Sequence, residues 1–207
     1  MDCWSCQSEV GSREAFCAAC GAIQPPDPSE DHFSLLGMPR RYALDPAELE
    51  RRFRDLSRRL HPDRFARAAP RERRLSLERA TRLNDAHRVL RDSRRRAEYL
   101  LRLAGADALA GGGAADPAFL EEQLALREAL AEARGAGDGE AGLRLAAEAR
   151  ARLGRAEQEI AALFAEQELG RERLAEIARR LARARFDEQL AAEAEGGPAP
   201  AGARGGP

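Results

Sequence analysis

An imidazole and a carboxylate stand two positions apart at His61 and Asp63, with Pro62 between them. Such groups could pass a proton between them, or they could form a fixed polar pair for a partner to bind. Because proline disfavours helical backbone at the residue before it, a helix that reaches this point should end at His61. No nucleophile, oxyanion loop or metal ligand accompanies the pair in sequence, which argues against acid–base catalysis. The tripeptide is therefore interpreted as a stiff, exposed binding turn, called here the His-Pro-Asp turn.

Thiol chemistry is confined to residues 1–23, which contain two C-x₂-C units separated by ten residues: Cys3, Cys6, Cys17 and Cys20. Four thiolates at this spacing can surround one ion tetrahedrally, which predicts a closed, non-catalytic structural zinc site. A segment this short has no core of its own, so metal binding would supply most of its folding free energy. A rubredoxin-like iron site is an alternative, since four thiolates also suit iron. A redox dithiol is another, although neither pair opens a helix after a strand.

The residues around the His-Pro-Asp turn predict a helical hairpin that carries it. Asp45-Pro46 is a typical helix start, and apolar residues then recur at helical spacing: Leu49, Phe53, Leu56 and Leu60. Beside this apolar row lies a stripe of basic residues: Arg51, Arg54 and Arg58. The second helix is predicted over residues 71–91, with Leu83 and Leu90 facing inward, and a shorter helix containing Tyr99 follows.

Three further helical patterns, over residues 117–134, 140–168 and 171–194, are separated by glycines and predict an antiparallel three-helix bundle. In the first, one row can be buried: Phe119, Gln123, Leu126 and Leu130. A second row, which changes from apolar to acidic and so cannot all be core, is Leu120, Leu124, Glu128 and Glu132. In the last helix the seam is expected at Leu174, Ile177, Leu181 and Ala184, which leaves Phe186 and Leu190 off it.

Composition limits the classes of protein that fit. Of 207 residues only 5% are aromatic while 33% are charged, which favours helices over packed sheets. No run of eighteen apolar residues occurs, and the N-terminus has no secretory signal pattern, so the sequence predicts a cytoplasmic protein without a membrane partner. Residues 40–102 contain twenty arginines and ten acidic residues, whereas residues 116–195 contain twelve arginines and eighteen acidic residues. This asymmetry predicts two modules with different partners.

The predicted fold is all-α: a helical hairpin and a three-helix bundle, preceded by the cysteine module. The predicted boundaries are residues 1–23 for the cysteine module, 24–30 for a stiff linker and 31–104 for the hairpin domain. Residues 105–115 form a flexible linker, 116–194 the bundle and 195–207 a disordered tail.

The His-Pro-Asp turn with its basic helix and the later Arg96-Ala97-Glu98-Tyr99-Leu100-Leu101 segment resembles a J-domain. Residues 116–128, which begin Asp-Pro-Ala-Phe-Leu-Glu-Glu-Gln-Leu, resemble the first bundle helix of the HscB family, J-type co-chaperones of iron–sulfur cluster assembly. Residues 32–39 and 42–45 are similar to the opening of that family, and the tetracysteine module resembles the form in eukaryotic and some bacterial members. The resemblance covers residues 31–192 and implies an L-shaped pair of domains.

The resemblance implies two binding surfaces and no enzymatic activity of the chain itself. An HscA- or DnaK-type ATPase would be bound through His61, Pro62, Asp63, Arg51, Arg54 and Arg58. An IscU-like iron–sulfur scaffold would contact Leu120, Leu124, Glu128, Glu132 and Phe186. Two positions depart from the family pattern: Glu121 replaces a usual Met, and Ala125 replaces a usual Glu.

Three other functions are distinguishable by experiment. A J-domain protein with another client would share the ATPase but show no scaffold binding. A nucleic-acid-binding zinc protein, which is not expected, would show salt-dependent binding to DNA or RNA. An oxidoreductase using the C-x₂-C pairs would turn over thiols.

Overall fold

A computed structural model describes residues 1–11, 14–106, 117–166 and 169–196 of the chain. Within these residues the fold is helical, with two isolated antiparallel β-bridges in place of strands. The helices are α1 (His32–Leu35), α2 (Pro46–Leu60), a 3₁₀ helix (Pro62–Phe65), α3 (Pro70–Arg91), α4 (Ser93–Leu103), α5 (Pro117–Gly135), α6 (Gly139–Phe164) and α7 (Arg171–Ala194). The chain divides into two compact units, Met1–Arg96 and Ala97–Pro207. None of the described helices is both long enough and apolar enough to cross a bilayer.

The cysteine module consists of two similar turns. In the first turn the amide of Gln7 donates to the carbonyl of Cys3 at 2.9 Å, and in the second Gly21 donates to Cys17 at 2.9 Å. Gln7 and Gly21 both have positive φ, 62° and 74°, which closes each turn after its second cysteine. Each turn is flanked by a β-bridge, Asp2 with Glu9 and Phe16 with Ile23.

The hairpin forms where the sequence predicts it. The Asp45 carboxylate accepts the amide of Ala47 at 2.9 Å, so the cap-and-proline start of α2 is confirmed. Helix α2 ends at Leu60 and α3 spans Pro70–Arg91, one residue longer than predicted. The two helices bury Leu49, Leu60, Leu75, Leu83, Ala86 and Leu90. Phe53 of α2 also stacks on His87 of α3, with ring centroids 3.9 Å apart.

Residues 24–30, predicted as a linker, are packed in part against the first unit. Gln24 is fully buried and Glu30 is 8% exposed. Arg82 of α3 donates to the carbonyls of Asp27 and Glu30, at 3.1 Å in both cases. The segment is therefore held along α3, and the boundaries predicted around it stay predictions.

The bundle helices α5, α6 and α7 confirm the three predicted patterns, with α7 at the predicted residues 171–194. The side chain of Asp138 caps α6 by accepting the amide of Ala141 at 2.9 Å. Between α6 and α7, Arg152 pairs with the buried Asp187 at 2.7 Å. Positions 167–168 of the predicted middle helix, 107–115 of the predicted linker and 197–207 of the predicted tail lie outside the described residues.

The expectation that Phe186 and Leu190 lie off the bundle seam is wrong. Phe186 is 6% exposed and Leu190 1% exposed, in one cluster with Leu130, Ala149 and Ala191. Phe186 lies about 200° around α7 from Ala184. A prediction that allows each helix one narrow apolar stripe therefore places Phe186 outside the core. The buried surface of α7 is wider than expected because a helix in a three-helix bundle packs against two neighbours. The cluster that contains Phe186 accordingly includes residues of all three helices.

This burial predicts how the bundle responds to truncation at position 186. Phe186→Ala should lower the free energy of unfolding by about 3–5 kcal/mol, the usual cost of removing a buried phenylalanine. Leu124→Ala, at a side chain that is 61% exposed, should change it by no more than about 0.5 kcal/mol. Denaturant unfolding of the two variants checks this, and equal losses would contradict the assignment of Phe186 to the core.

Candidate functional site

The four cysteines come together as one group. Their Sγ atoms all lie within 4.8 Å of one another, and the Cys3–Cys20 and Cys6–Cys17 distances are both 3.7 Å. A tetrahedral ion with metal–sulfur bonds of about 2.3 Å needs sulfur atoms about 3.8 Å apart. The observed spacing fits that geometry, and it is too long for disulfides, since all four cysteines are free. The donor set therefore fits a tetrathiolate metal site.

Hydrogen bonds lower the pKa of two of the four thiols, Cys3 and Cys6, and so favour the charged form that a metal requires. Burial would raise the pKa of Cys3, but the amides of Cys6 and Ser5 and the neighbouring thiols outweigh it and lower that pKa to about 6. The Ser8 hydroxyl lies 3.3 Å from the Sγ of Cys6, and hydrogen bonding to the thiolate by that hydroxyl and then by the Ser8 amide also lowers the pKa of Cys6. The proximity of the other thiols raises the pKa of Cys20 to about 11, against the lowering effect of the Ala22 amide. Four like charges this close need a cation to balance them.

The His-Pro-Asp turn lies in the open between α2 and α3. His61 is the C-cap of α2 and also the N-cap of the 3₁₀ helix, because its Nδ1 accepts a hydrogen bond from the amide of Asp63 at 3.3 Å. The Asp63 side chain is 91% exposed and the His61 side chain 54% exposed. The sequence prediction that the turn is exposed is confirmed, and the amide of Asp63 is held by a hydrogen bond while its carboxylate faces solvent.

The turn is fixed from behind by α3. The hydroxyl of Ser76, which is fully buried, donates to the carbonyl of Leu60 at 2.8 Å. That carbonyl belongs to the last helical residue of α2, where a helix leaves its carbonyls without internal donors. The bond thus fixes the residue next to His61 against α3. Sequence reasoning missed Ser76, because a serine inside a helix carries no signal of a contact with another helix.

The arginine stripe of α2 is exposed but paired along its own helix. Arg51 contacts Glu48 at 2.6 Å, and Arg58 contacts Asp55 at 2.5 Å. Arg54 lies 3.9 Å from Glu50. Side-chain contacts with Arg52 and Arg51 lower the pKa of Glu48. The exposed face of α2 therefore carries both positive and negative charges. It is less strongly positive than its arginines alone would make it.

On α5 the predicted second row is exposed. Leu120 is 49% exposed and Leu124 61%, and Glu128 and Glu132 are exposed as well. These four residues are called the α5 face. Large apolar side chains rimmed by carboxylates on one helix form a surface that can bury area against a partner.

Phe186 does not share this surface, because it lies in the core. Its ring packs edge-on against Phe119, with centroids 6.0 Å apart. Arg127 lies over the Phe186 ring at 5.5 Å, and Arg183 lies over the Phe119 ring at 4.6 Å. Phe186 can therefore contribute to the α5 face by supporting the helix from beneath. Arg127 and Arg183 were missed, and only the packing of the helices shows what they contact.

An exposed His-Pro-Asp turn on a two-helix hairpin, followed by a three-helix bundle, defines a J-domain protein with a helical C-terminal domain. A sequence profile described as the DnaJ domain matches residues 31–99, and one described as the HSCB C-terminal oligomerisation domain matches residues 115–195. A solved structure of chaperone HscB from Vibrio cholerae is 33% identical, with a TM-score of 0.67, and the match covers 80% of this chain and 96% of that one. The chain belongs to the HscB family of co-chaperones.

Three other HscB proteins are also similar to this chain. The crystal structure of human co-chaperone protein HscB has a TM-score of 0.83 at 29% identity, and the match covers 94% of this chain and 97% of the human one. The co-chaperone protein HscB homolog of Bordetella pertussis is 49% identical over 107 residues, which are 51% of this chain and 63% of that protein. The iron–sulfur cluster co-chaperone protein HscB of Mus musculus is 38% identical over 136 residues, 64% of this chain and 58% of that protein. The matched parts thus span less than two thirds of these two relatives.

The cysteine geometry predicts one bound metal ion per chain. Cys17→Ser should abolish stoichiometric metal binding, because three thiolates and a hydroxyl form a much weaker site than four thiolates. Elemental analysis of purified full-length protein measures the ion, and cobalt substitution reports whether its ligands are four sulfurs. Ser5→Ala, an exposed change inside the first turn, is the matched control and should retain the ion. Full metal content in Cys17→Ser would contradict the tetrathiolate assignment.

Proposed function

We propose that the protein is a co-chaperone that stimulates the ATPase of an HscA- or DnaK-type chaperone and brings to it an IscU-like iron–sulfur scaffold. The single observation that carries this proposal is the pairing, in one chain of the HscB family, of an exposed His-Pro-Asp turn with an exposed apolar–acidic face on α5. The division of roles follows the domains predicted from sequence, 31–104 for the chaperone and 116–194 for the scaffold.

The first role is stimulation by binding. His61, Pro62 and Asp63 present a carboxylate and an imidazole on a backbone that the 3₁₀ helix and Ser76 hold in place. A rigid polar group of this kind can favour the hydrolysing conformation of the ATPase if it binds that conformation more tightly than the other. The chain itself needs no catalytic residue. The role of Arg51, Arg54 and Arg58 is to steer and orient the encounter, since exposed charges act mainly on association.

The second role is capture of the scaffold on the α5 face. Leu120 and Leu124 supply apolar area, while Glu128 and Glu132 set charge and register one to three turns further along the helix. Phe186 acts indirectly, through its contact with Phe119 next to Leu120. Glu121 and Ala125, which depart from the family pattern, are both exposed, so they can change the affinity without changing the fold.

The metal is proposed to be zinc in a structural role. Four thiolates leave no open position for a substrate or water, so the ion would hold the two turns together and take no part in a reaction. The protein is proposed to act in the cytoplasm, where thiols stay reduced and free for metal. Nucleic-acid binding is disfavoured, because the three arginines of the α2 stripe are paired with carboxylates on their own helix.

Loss of the Asp63 carboxylate should remove the first role alone. Asp63→Ala should reduce stimulation of the ATPase by about 30-fold, the effect of losing a central contact worth about 2 kcal/mol. Because Asp63 is 91% exposed, stability and scaffold binding should stay unchanged. Single-turnover ATP hydrolysis by the chaperone measures the stimulation.

The control for this measurement is Asp85→Ala, which removes a half-exposed α3 carboxylate that pairs with Arg88, one turn further along α3, at 2.8 Å. It should stimulate as the wild type does. Normal stimulation by Asp63→Ala would show that the His-Pro-Asp turn does not act on the ATPase.

Removal of the apolar part of the α5 face should weaken the second role alone. Leu120→Ala with Leu124→Ala should raise the Kd for the scaffold by about 30-fold, since the two side chains lose about 2 kcal/mol of apolar burial between them. Calorimetric titration of the scaffold measures the Kd.

The matched control is Leu143→Ala, which truncates an equally exposed leucine, 62% against 61% for Leu124, on α6. Its Kd should remain that of the wild type. If the double variant bound the scaffold as tightly as this control, the α5 face would not be the docking surface.

A further inference from the structure

Arg79 of α3 is a buried arginine whose partners lie far away in sequence. It is 1% exposed, and its Nε donates to the carbonyl of Gln24 at 2.6 Å. Its Nη2 donates to the carbonyl of Pro25 at 2.9 Å and lies 3.4 Å from that of Glu14. Arginine is almost never fully buried unless its charge is satisfied. Here the two closer acceptors, Gln24 and Pro25, belong to the segment that leaves the cysteine module, and Glu14 belongs to the module itself, so the module and this segment together satisfy the charge.

Gln24 connects Arg79 to the candidate metal site. Its carbonyl accepts from Arg79, while its side-chain Nε2 donates to the Sγ of Cys3 at 3.3 Å and to the carbonyl of Ala22 at 2.7 Å. The side chain is fully buried, which holds it in one conformation. One residue thus contacts both a candidate metal ligand and the guanidinium of α3.

Two more contacts place the module at the end of the hairpin that carries the His-Pro-Asp turn. Arg59, two residues before His61, lies 5.0 Å over the ring of Phe16. Arg71, in the first turn of α3, lies 4.4 Å over the ring of Trp4. The module therefore contacts both helices where they enter and leave the turn.

Part of the interface between the module and the hairpin is open. A cavity of about 460 Å³ lies between the module and the hairpin, lined among others by Phe16, Cys17, Leu56, Leu60 and Arg79. Around this cavity, the contacts of Arg79, Arg59 and Arg71 link the two parts.

We infer that Arg79 couples the metal site to the His-Pro-Asp turn, so that metal occupancy determines how firmly that turn is held. The metal folds the module, and the folded module positions the carbonyls of Glu14, Gln24 and Pro25 that satisfy Arg79. Without the metal, the module no longer positions those acceptors and the buried charge must find water, which opens α3 near Ser76 and the end of α2. The inference rests on the proposed function only for what the turn binds, and its test needs neither chaperone nor scaffold.

Because such coupling is reciprocal, a residue that is not a ligand should affect metal affinity. Zinc affinity of the full-length protein is measured by competition with a chromophoric chelator. Arg79→Ala should weaken it at least about tenfold, or about 1.4 kcal/mol. Arg88→Ala, an exposed arginine on the same helix, is the control and should leave the affinity unchanged. Wild-type affinity in a folded Arg79→Ala variant would overturn the inference.

The effect of the metal on the hairpin is tested by amide hydrogen exchange on the wild-type protein, first with zinc bound and then after a chelator has removed it. Exchange should rise several-fold in peptides covering residues 59–79, while peptides from α7 serve as the internal reference and stay constant. A metal-independent exchange pattern over residues 59–79 would mean that the module is merely attached to the hairpin, and would overturn the inference.

Arg79→Ala leaves a cavity and unsatisfied carbonyls, so it could fail to fold. In that case the double variant Arg59→Ala, Arg71→Ala tests the inference instead, because both side chains are exposed and neither belongs to the hairpin core. This double variant should lower zinc affinity several-fold with native helicity retained. Unchanged affinity would overturn the inference. These outcomes are independent of the Asp63→Ala experiment, which tests only whether the turn acts on an ATPase.

Discussion

The break that Pro62 imposes at the end of α2 is the constraint on which the first unit depends. A proline disfavours helical backbone at His61, so α2 ends at Leu60 and leaves carbonyls without helical donors. Ser76 satisfies the carbonyl of Leu60, and that bond ties α3 to α2 directly behind the turn. The same break displays Asp63, because the chain continues as a short 3₁₀ helix that exposes the side chain while holding its backbone. Exposure and rigidity of the turn thus have one cause.

Helix α3 performs a second task that the hairpin alone does not require. Arg79 is buried within the same helix that fixes the turn, and it is satisfied by the carbonyls of Gln24 and Pro25, in the segment that leaves the cysteine module. Burying a guanidinium is costly, and burial lowers the pKa of Arg79, with the carboxylate of Glu30 acting against that shift. The cost is offset by carbonyls that the folded module helps to position. The small cluster that the module buries, Cys3, Val10, Cys17 and Ala22, is in this way made part of a larger unit.

In the bundle, the separation of core from surface follows from how many neighbours each helix has. Phe186 and Leu190 are buried because α7 meets residues of both other helices in one cluster. Leu120 and Leu124 on α5 remain exposed although they are as apolar as their buried neighbours. Exposed apolar side chains have an unfavourable hydration free energy, which binding to a partner would remove. The α5 face, and not Phe186, is therefore the surface to test for binding.

Much of this protein could be predicted from sequence, because the signals involved are local. Caps, prolines and helical periodicity determined α2, α3 and the three bundle helices to within a few residues, and the cysteine spacing determined the thiol cluster. The exposure of His61 and Asp63 followed from a proline. What only the tertiary structure decided were contacts between elements distant in sequence: Ser76 with Leu60, Arg79 with Gln24, and Phe186 with Phe119. Periodicity specifies which face of a helix is apolar, but not how many neighbours cover it or which buried polar group finds which partner. Those depend on the packing of the whole chain.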